Sequence, residues 1–317
     1  MRILWIHNFN PKIKNSGVFM HQSLDFLKEN YKDLKVDELY LGNLRNPLVV
    51  IYSVLKIMFL SMKYDIIHAQ YGSMCGFLGS FALCRKYLTL RGSDWYAKKK
   101  KDNFSYFHNK LQNFLTRLTL NKYNCVVVVS NRMKAEVKEI YKGKILVIPS
   151  AVDLNKFYPM DKESCRKKLN LSLEKKLILF PVMNLNNIVK RPYLIEELKG
   201  KLPCNVEIIS ASGVPHNEMV FLYNAVDAVL LPSMYEGWPN VIKESLLCNT
   251  PFIATDVSDL LEISQRNSSC KIVEPTLDSI LSVLNNMHDT KRENLRIEVV
   301  WMELNSLNKL MVKELYS

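Results

Sequence analysis

Residues 223–256 read YNAVDAVLLPSMYEGWPNVIKESLLCNTPFIATD, and the interpretation of the whole chain starts from this stretch. The apolar runs at 228–231 and 251–255 predict two buried strands, and the pattern beginning at Pro239 or Asn240 predicts a helix between them. Strand, glycine-containing loop and helix are the repeating parts of a parallel α/β sheet. Because the first N–H groups of such a helix lack intrahelical partners and its dipole is positive there, the loop predicts an anion site.

Two carboxylates flank this predicted anion site. Glu236 lies in the loop beside Gly237, and Glu244 lies eight residues later, inside the helix. Carboxylates accept hydrogen bonds from sugar hydroxyl groups, while the helix start at Asn240 and Val241 would hold phosphates. Phosphates in the middle and hydroxyl groups at both ends describe a nucleotide sugar. For either glutamate alone, a surface or helix-capping role is the simpler interpretation.

The string PSMYEGWPNVIKE followed by SLLCNTPFIATDV resembles the E-x7-E signature of glycosyltransferase family 4, whose members are retaining enzymes of the GT-B fold. The resemblance implies that Glu236 contacts the donor sugar and that Glu244 contacts the ribose. The family usually has glycine where Asn249 and Ser258 stand in this chain. We expect both positions to lie in turns, since asparagine also tolerates a left-handed backbone.

The resemblance covers most of the chain and implies an α/β protein of GT-B fold, with two Rossmann-like, doubly wound domains facing a cleft. A chain of 317 residues, of which 48% are hydrophobic, suits two domains of roughly 150 residues. The segment 145–159, which resembles the family's interdomain segment, sets the boundary. We expect an acceptor-side domain at 1–152, a nucleotide-sugar domain at 153–290, and a long helix at 291–317 that returns to the first domain.

In the N-terminal half, polar residues at predicted strand ends and in loops are candidates for contacts with the donor and the acceptor. Ser16 and Gly17 precede a helix, His68 ends a strand, and Arg91 and Asp94 follow another strand. Ligands of parallel sheets gather at the carboxyl ends of the strands. The resemblance implies that Gly17 lies against the donor diphosphate and that Arg91 replaces the family's usual histidine. Ser16 and His68 are candidates for sugar or acceptor contact.

Several of these residues have a structural alternative. A lone histidine is often structural, and Arg91 and Asp94 could form a structural ion pair. Arg91 cannot act as a general base at neutral pH, because its guanidinium stays protonated. It could instead bind sugar oxygens or a phosphate, with Asp94 orienting it or accepting from an acceptor hydroxyl group.

A basic pair in the C-terminal half is the candidate phosphate clamp. The family usually places an arginine after the first strand of this domain and a lysine a few residues on, both holding the diphosphate. Lys190 matches the lysine, whereas Met183 and Asn184 stand near the place of the expected arginine. Arg191 could substitute for it, and a solvent-facing basic pair is the alternative. The residues predicted to carry the catalysis are Arg91, Asp94, Lys190 and Glu236.

Charge is unevenly distributed along the chain. Residues 1–152 hold 24 Lys and Arg against 10 Asp and Glu, a net charge of +14, whereas residues 153–317 have a net charge of −2. This asymmetry predicts an anionic partner for the first half, which could be a membrane surface, a polyanionic acceptor or nucleic acid. Nucleic acid comes last, since the sequence has no nucleic-acid-binding motif. The lysine run at 98–101, followed by an amphipathic stretch, supports contact with anionic lipid.

The mostly apolar segment 47–62 has two interpretations. Its sixteen residues are short of the roughly 20 needed to span a bilayer. A buried crossover helix is the favoured interpretation, and a helix lying on a membrane surface is the alternative.

Together these observations predict a glycosyltransferase that moves a sugar from a nucleotide sugar, first a UDP-sugar and second a GDP-sugar, to a lipid-linked or oligosaccharide acceptor. The resemblance implies that the anomeric configuration is retained and, with the charge asymmetry, that the product belongs to cell-surface polysaccharide biosynthesis. The sequence has no D-x-D motif, so we expect no required metal. Seven scattered cysteines predict buried, reduced thiols, and no signal peptide is evident. We therefore expect a cytoplasmic protein, peripheral on the inner face of the cytoplasmic membrane. The alternatives are a sugar-nucleotide 2-epimerase of the same fold and a non-catalytic nucleotide-sugar-binding homologue.

Overall fold

The computed structural model describes residues 1–10, 12, 16–44, 46–96, 103–182, 185–287 and 293–317, without the side chains of 103–109. The lysine run at 98–101 therefore lies outside the described residues, as do Met183, Asn184 and the segment 288–292. The chain divides into two compact units. Unit 1 comprises Met1–Ala151 and Leu304–Ser317, and unit 2 comprises Val152–Glu303.

Unit 1 is built on a six-stranded, fully parallel sheet of order β2-β1-β3-β4-β5-β6. Its strands are β1 Arg2–His7, β2 Lys35–Tyr40, β3 Ile66–Ala69, β4 Arg85–Thr89, β5 Cys125–Val128 and β6 Lys144–Val147. Its first helices are α1 Val18–Asn30, α2 Pro47–Leu60, α3 Ser73–Gly79, α4 Asn103–Thr119 and α5 Asn131–Ile140, with a 3-10 turn at Leu120–Lys122. The inner strands are continuous apolar runs because helices pack against both faces of the sheet.

Unit 2 is built on a five-stranded parallel sheet of order β11-β10-β9-β7-β8. Its strands are β7 Lys176–Phe180, β8 Val206–Ser210, β9 Ala228–Leu231, β10 Phe252–Ala254 and β11 Lys271–Ile272. Its helices are α6 Lys162–Lys168, α7 Pro192–Lys199, α8 Met219–Ala225, α9 Asn240–Leu247, α10 Leu260–Arg266 and α11 Leu277–Asn285, with 3-10 turns at Ile188–Lys190, Leu295–Glu298 and Val300–Met302. The last helix of the chain, α12 Leu304–Leu315, belongs to unit 1.

Both sheets have a point at which the strand order reverses. In unit 1 the chain goes from β1 outward to β2 and then returns to β3 on the other side of β1. In unit 2 it goes from β7 outward to β8 and returns to β9 on the other side of β7. The predicted architecture of two doubly wound, Rossmann-like sheets is confirmed. The carboxyl ends of β1 and β3, and of β7 and β9, are the places where such sheets bind ligands.

The structure corrects two predictions about helices. Half of the fourteen residues of α2 are exposed and its buried residues are Ser53 and Ile57, so the favoured interpretation of 47–62 as a buried helix is wrong. The helix contacts α3 along a narrow stripe, which leaves the wide apolar remainder uncovered. The predicted continuous helix at 291–317 is also wrong. Residues 295–302 form two short 3-10 turns within unit 2, and only Leu304–Leu315 is an α-helix of unit 1.

The seven cysteines are free, as predicted, although not all of them are buried. Five lie in the core, Cys84 is half-buried and Cys204 is exposed.

Candidate functional site

The loop after β9 and the start of α9 form the predicted anion site of unit 2. Helix α9 begins at Asn240, and the preceding Pro239 has no polar side chain with which to cap it. The carbonyl of Gly237 accepts a hydrogen bond of 2.7 Å from the Ser258 hydroxyl group, which fixes the loop from the next connection. The loop that leads into α9 is therefore held in a fixed shape, next to the positive end of the helix dipole.

Lys190 and Glu236 meet at the strand-order reversal between β7 and β9. The Lys190 ammonium group donates to the Glu236 carboxylate, and the two side chains are 21% and 15% exposed. Arg191 lies beside them and donates from its guanidinium to the carbonyl of Pro232 at 2.8 Å. Both basic residues of the predicted phosphate clamp thus reach the loop after β9. Arg191 has a left-handed backbone, with φ of 49°, which sets it between the 3-10 turn and α7.

Glu244 is held inside unit 2 by partners that sequence analysis did not identify. Its carboxylate accepts from the Tyr223 hydroxyl group at 2.8 Å and lies 3.0 Å from His216 Nε2. Lys156 Nζ lies 2.7 Å from the other ring nitrogen of His216, so a chain of polar contacts leads from Lys156 to Glu244. Burial, followed by the Glu244 charge, raises the pKa of Tyr223 well above its usual value, so Tyr223 is a donor here.

Lys243, on the first turn of α9, is a further residue that sequence analysis missed. Its side chain is fully buried, lies over the ring of Trp238 at 5.3 Å and donates to Asn240 Oδ1 at 3.0 Å. A buried cation close to the start of α9 adds positive charge at the end predicted to hold phosphates. The sequence signal was present, since a lysine inside the apolar pattern of a helix is unusual.

The two positions where the family usually has glycine both have a left-handed backbone, as predicted. Asn249 has φ of 57° and Ser258 has φ of 54°. The Asn249 side chain accepts from the backbone N–H of Arg296 at 3.0 Å, and the Ser258 hydroxyl group donates to Gly237. Each residue therefore offsets its backbone strain with a side-chain hydrogen bond that glycine cannot make.

In unit 1, Arg91 lies at the end of β4 with its guanidinium over the ring of Phe19, 4.4 Å from the ring centre. It donates to Gln70 Oε1 at 3.2 Å and to Ser150 Oγ at 3.4 Å, while the Nε atom has no protein partner. These residues line a small cavity of about 30 Å³. Burial lowers the pKa of Arg91 to about 10, so the guanidinium remains charged at neutral pH.

Asp94 organises the Arg91 loop and does not pair with the guanidinium. Its carboxylate is fully buried and accepts backbone N–H groups from Gly72 at 2.7 Å, Gly92 at 2.8 Å and Arg91 at 2.9 Å. Burial raises the pKa of Asp94, and the hydrogen bonds from these N–H groups offset only part of that increase. With its oxygens occupied in this way, Asp94 is placed to position Arg91. Its contact with an acceptor hydroxyl group stays a prediction.

His68 lies in the core of unit 1, 1% exposed, so the structure does not place it where a sugar or acceptor could touch it. Its Nδ1 lies 2.5 Å from the Tyr316 hydroxyl group and its Nε2 lies 2.8 Å from Thr89 Oγ1. Tyr316 also accepts from the indole N–H of Trp5 at 2.9 Å. Tyr316 covers the carboxyl end of β3, so the polar residue at this strand end is buried. Burial lowers the pKa of His68 to about 3.

Gly17 is required by the backbone at the start of α1. It has φ of 71°, and a Cβ atom there would lie 2.7 Å from the Phe9 ring. Its neighbour Ser16 is half-buried. Both lie in the connection after β1, at the strand-order reversal of unit 1, where the prediction put them. Contact with a diphosphate stays a prediction.

Two family models match this chain, one in each half. The model described as Glycosyltransferase Family 4 matches residues 22–156, and the model described as Glycosyl transferases group 1 matches residues 190–296. Together they span most of both sheets, and the second includes Lys190, Glu236 and Glu244. The two matches support a GT-B glycosyltransferase of the family 4 type.

The chain also resembles individual bacterial glycosyltransferases. The chain is 28% identical over 216 residues to a putative teichuronic acid biosynthesis glycosyltransferase of Bacillus subtilis, covering 61% of this chain and 53% of that protein. It is 25% identical over 305 residues to the UDP-Gal:alpha-D-GlcNAc-diphosphoundecaprenol alpha-1,3-galactosyltransferase of Escherichia coli, covering 83% and 74%. The chain thus spans about half the length of the first relative.

Solved structures show the same fold for this GT-B glycosyltransferase. The Anabaena protein HepE in complex with UDP-glucose matches it with a TM-score of 0.71 and 16% identity, over 100% of this chain and 99% of that one. At this identity the likeness establishes the fold alone.

The described residues of this GT-B glycosyltransferase contain no group of three or more His, Cys, Asp or Glu side chains that could hold a metal ion. The expectation of metal independence stays a prediction.

Proposed function

We propose that this protein transfers a sugar from a nucleotide-sugar donor to a saccharide acceptor. The observation that carries the proposal is the meeting of Lys190 and Glu236 at the strand-order reversal of unit 2, next to the start of α9. A cation, a carboxylate and a helix N-terminus in one place suit a sugar diphosphate, which presents phosphate oxygens beside hydroxyl groups.

Each group of unit 2 has a role in this proposal. The donor diphosphate lies against the backbone of Gly237, Asn240 and Val241, and Lys190 binds its oxygens, with Arg191 supporting them. Glu236 accepts hydrogen bonds from the donor sugar. Glu244, held in place by Tyr223, accepts from the ribose, so that the E-x7-E pair spans the two ends of the donor.

The chemical step is the exchange of one glycosidic bond for another. The bond between the anomeric carbon and the diphosphate oxygen breaks, and an acceptor oxygen bonds to that carbon from the same face, which retains the configuration. The acceptor proton passes to the departing diphosphate. Negative charge accumulates on that diphosphate, and the ammonium group of Lys190 and the start of α9 stabilise it. No enzymic nucleophile and no metal are required.

In unit 1, Arg91 is proposed to bind the acceptor or the donor sugar, and Asp94 to hold the Arg91 loop. The Arg91 guanidinium is charged at neutral pH and retains an unpartnered Nε–H group, so it can donate but cannot serve as a base. Gly17 and Ser16, at the reversal of the unit 1 sheet, are proposed to lie against the donor. His68 is proposed to support the fold.

The comparisons support a choice of substrates. HepE was solved with UDP-glucose, and the Escherichia coli relative is named for UDP-Gal and an acceptor on diphosphoundecaprenol. We therefore propose a UDP-sugar as the donor, with a GDP-sugar second, and a lipid-linked saccharide as the acceptor. The two relatives and the net charge of +14 in residues 1–152 support a role in cell-surface polysaccharide biosynthesis at an anionic membrane surface.

A thermal-shift screen of the full chain against UDP-, GDP-, ADP- and CMP-sugars, followed by product analysis with lipid-linked acceptors, tests the proposal. A transferase releases nucleotide diphosphate only with acceptor present and forms a product with the donor's anomeric configuration. Formation of a UDP-sugar epimerised at C2, without acceptor, would instead indicate an epimerase. Nucleotide-sugar binding without turnover would indicate a non-catalytic homologue.

A further inference from the structure

We propose that helix α2 inserts its exposed apolar side into the headgroup region of an anionic lipid bilayer and anchors unit 1 there. The exposed fractions of its large apolar side chains support this proposal. Leu48 is 74% exposed, Leu55 is 63% exposed and Met62, just after the helix, is 70% exposed. The other large apolar residues exposed on this helix are Ile51, Tyr52, Met58 and Phe59. Soluble proteins seldom leave so many large apolar side chains of one helix in water, and such patches mark interaction sites.

The apolar surface continues beyond α2. Helix α3 packs against both α2 and α4. The backbone N–H of Leu83, whose side chain is 68% exposed, donates to Ser61 Oγ at 3.0 Å and so joins the end of α2. On α4, Leu111, Phe114 and Leu118 are exposed as well. We call the exposed side of α2, Leu83 and the exposed side of α4 the α2–α4 face.

Charge identifies the occupant of this face. The sequences of α2, α3 and α4 contain no Asp or Glu, whereas Lys56, Lys63, Lys110, Arg117 and Lys122 lie on or beside these helices. Lys63 lies over the Phe59 ring at 4.7 Å, which places a cation at the edge of the apolar side chains. Cations around apolar side chains complement an anionic bilayer surface, whereas a second copy of the face would bring like charges together.

The dimensions show that α2 lies in the surface and does not cross it. Fourteen residues at about 1.5 Å each give a helix of about 21 Å, short of the roughly 30 Å of a hydrocarbon core. Within the part of the chain that the structure describes, none of the helices is long and apolar enough to span a membrane. A short, mostly apolar helix with Lys56 and Lys63 at the edge of its exposed side can lie at the interface, where the lysines reach the headgroups.

This inference rests on the proposed function in one respect, because a lipid-linked acceptor is reached from a membrane surface. Membrane binding itself needs no turnover, so the two can fail separately. The experiment is sedimentation of the full chain with phosphatidylcholine vesicles containing 0 or about 30% phosphatidylglycerol, at low and high salt, with turnover measured in parallel on a detergent-solubilised acceptor.

The test variant is the double substitution Ile51→Gln and Leu55→Gln, and the matched control is Leu173→Gln with Leu261→Gln, two exposed leucines of unit 2. We expect the wild-type chain to bind anionic vesicles and to keep part of that binding at high salt. The α2 variant should lose at least about tenfold in vesicle affinity, as two leucine-sized side chains leave the bilayer, while the control binds like wild type.

A third variant, Lys56→Gln with Lys63→Gln, should bind more weakly at low salt and lose its preference for phosphatidylglycerol. No binding of the wild-type chain at low salt, or equal binding of the α2 variant, overturns the inference while leaving turnover on the solubilised acceptor intact. A dimer that the α2 variant converts to a monomer, without vesicle binding, overturns it in favour of a second copy as the occupant.

Discussion

The Lys190 ammonium group and the Glu236 carboxylate form an ion pair across the connections that follow β7 and β9. The two residues are 46 positions apart in the chain and meet because β9 lies directly beside β7 in the sheet. The connection after β7 supplies Lys190 and the connection after β9 supplies Glu236. The two meet because the strand order places β7 and β9 side by side. When a sugar diphosphate binds, phosphate oxygens can replace Glu236 as the partner of Lys190, and sugar hydroxyl groups can replace Lys190 as the partner of Glu236.

Replacing Glu236 with Gln should abolish most turnover while leaving the fold intact. The amide keeps the shape of the side chain but removes the charge that faces Lys190 and the donor sugar. We expect kcat to fall by about 10²- to 10³-fold, the usual cost of removing one electrostatic group from an active site. Product formation with the preferred nucleotide sugar measures it. Glu262→Gln, on the exposed side of α10, is the control, and unchanged kcat in the Glu236 variant would remove Glu236 from the site.

Replacing Tyr223 with Phe should weaken nucleotide binding more than it slows the chemical step. The Tyr223 hydroxyl group is a buried donor to Glu244, and its loss leaves that carboxylate less well held. We expect about 1 kcal/mol less stability and a Kd for UDP raised several-fold, with kcat changed little. Calorimetric titration and thermal melting measure both. Tyr193→Phe, a half-exposed residue of α7, should behave like wild type, and equal UDP affinity in the Tyr223 variant would contradict the proposed role of Glu244.

His68 should make stability depend on pH below neutrality. Burial lowers its pKa from 6.5 to about 3, so between these values the unfolded chain binds a proton that the folded chain does not. His68 therefore leaves the free energy of unfolding unchanged above about pH 6.5 and lowers it progressively as the pH falls towards 3. Urea unfolding at pH 7.0, 6.0 and 5.0 should show this decrease in the free energy of unfolding.

The variant His68→Asn removes the titrating group and should flatten this pH dependence over the same range, although its stability at pH 7 will be lower because Tyr316 and Thr89 lose a partner. His216→Asn, whose side chain is 59% exposed, should keep the wild-type slope. A slope that survives in the His68 variant would assign the effect to other groups.

Ser258 combines a left-handed backbone with a hydrogen bond to Gly237, and substitutions can separate the two. Ser258→Ala keeps the strain and removes the bond, so we expect a loss of about 1–2 kcal/mol. Ser258→Gly removes the bond but relieves the strain, and it should be about 1 kcal/mol more stable than the alanine variant. Thermal melting measures both, with Ser264→Ala on α10 as the reference, and an alanine variant as stable as the glycine variant would contradict this account.

The sequence predicted the parts of the site that depend on local order. The strand, loop and helix around Glu236 follow one another directly, and apolar runs with turn residues between them fix such units. Tyr223 and His216 were missed because neither belongs to the E-x7-E signature and no sequence pattern places either beside Glu244. Their contact with Glu244 depends on how α8 and the loop after β8 pack against α9.

Two errors share a physical cause, which is that sequence pattern does not show what covers a surface. An apolar helix has the same composition whether protein or lipid covers it, so α2 was assigned to the core. A polar strand end was expected to face a ligand, but at His68 the residue that covers it lies 248 positions further along the chain. The 3-10 turns at 295–302 carry too short a pattern to be distinguished from a helix.

Tyr316 also bears on the order in which the protein can fold during synthesis. Its hydroxyl group satisfies Trp5 and His68 in unit 1, yet the ribosome makes it after every residue of Val152–Glu303. Unit 2 can therefore complete its sheet while the first-made unit still lacks α12. Until α12 emerges, Trp5 and His68 lack their Tyr316 partner and the surface of unit 1 that α12 covers stays exposed. Exposed apolar surface of this kind is what chaperones bind.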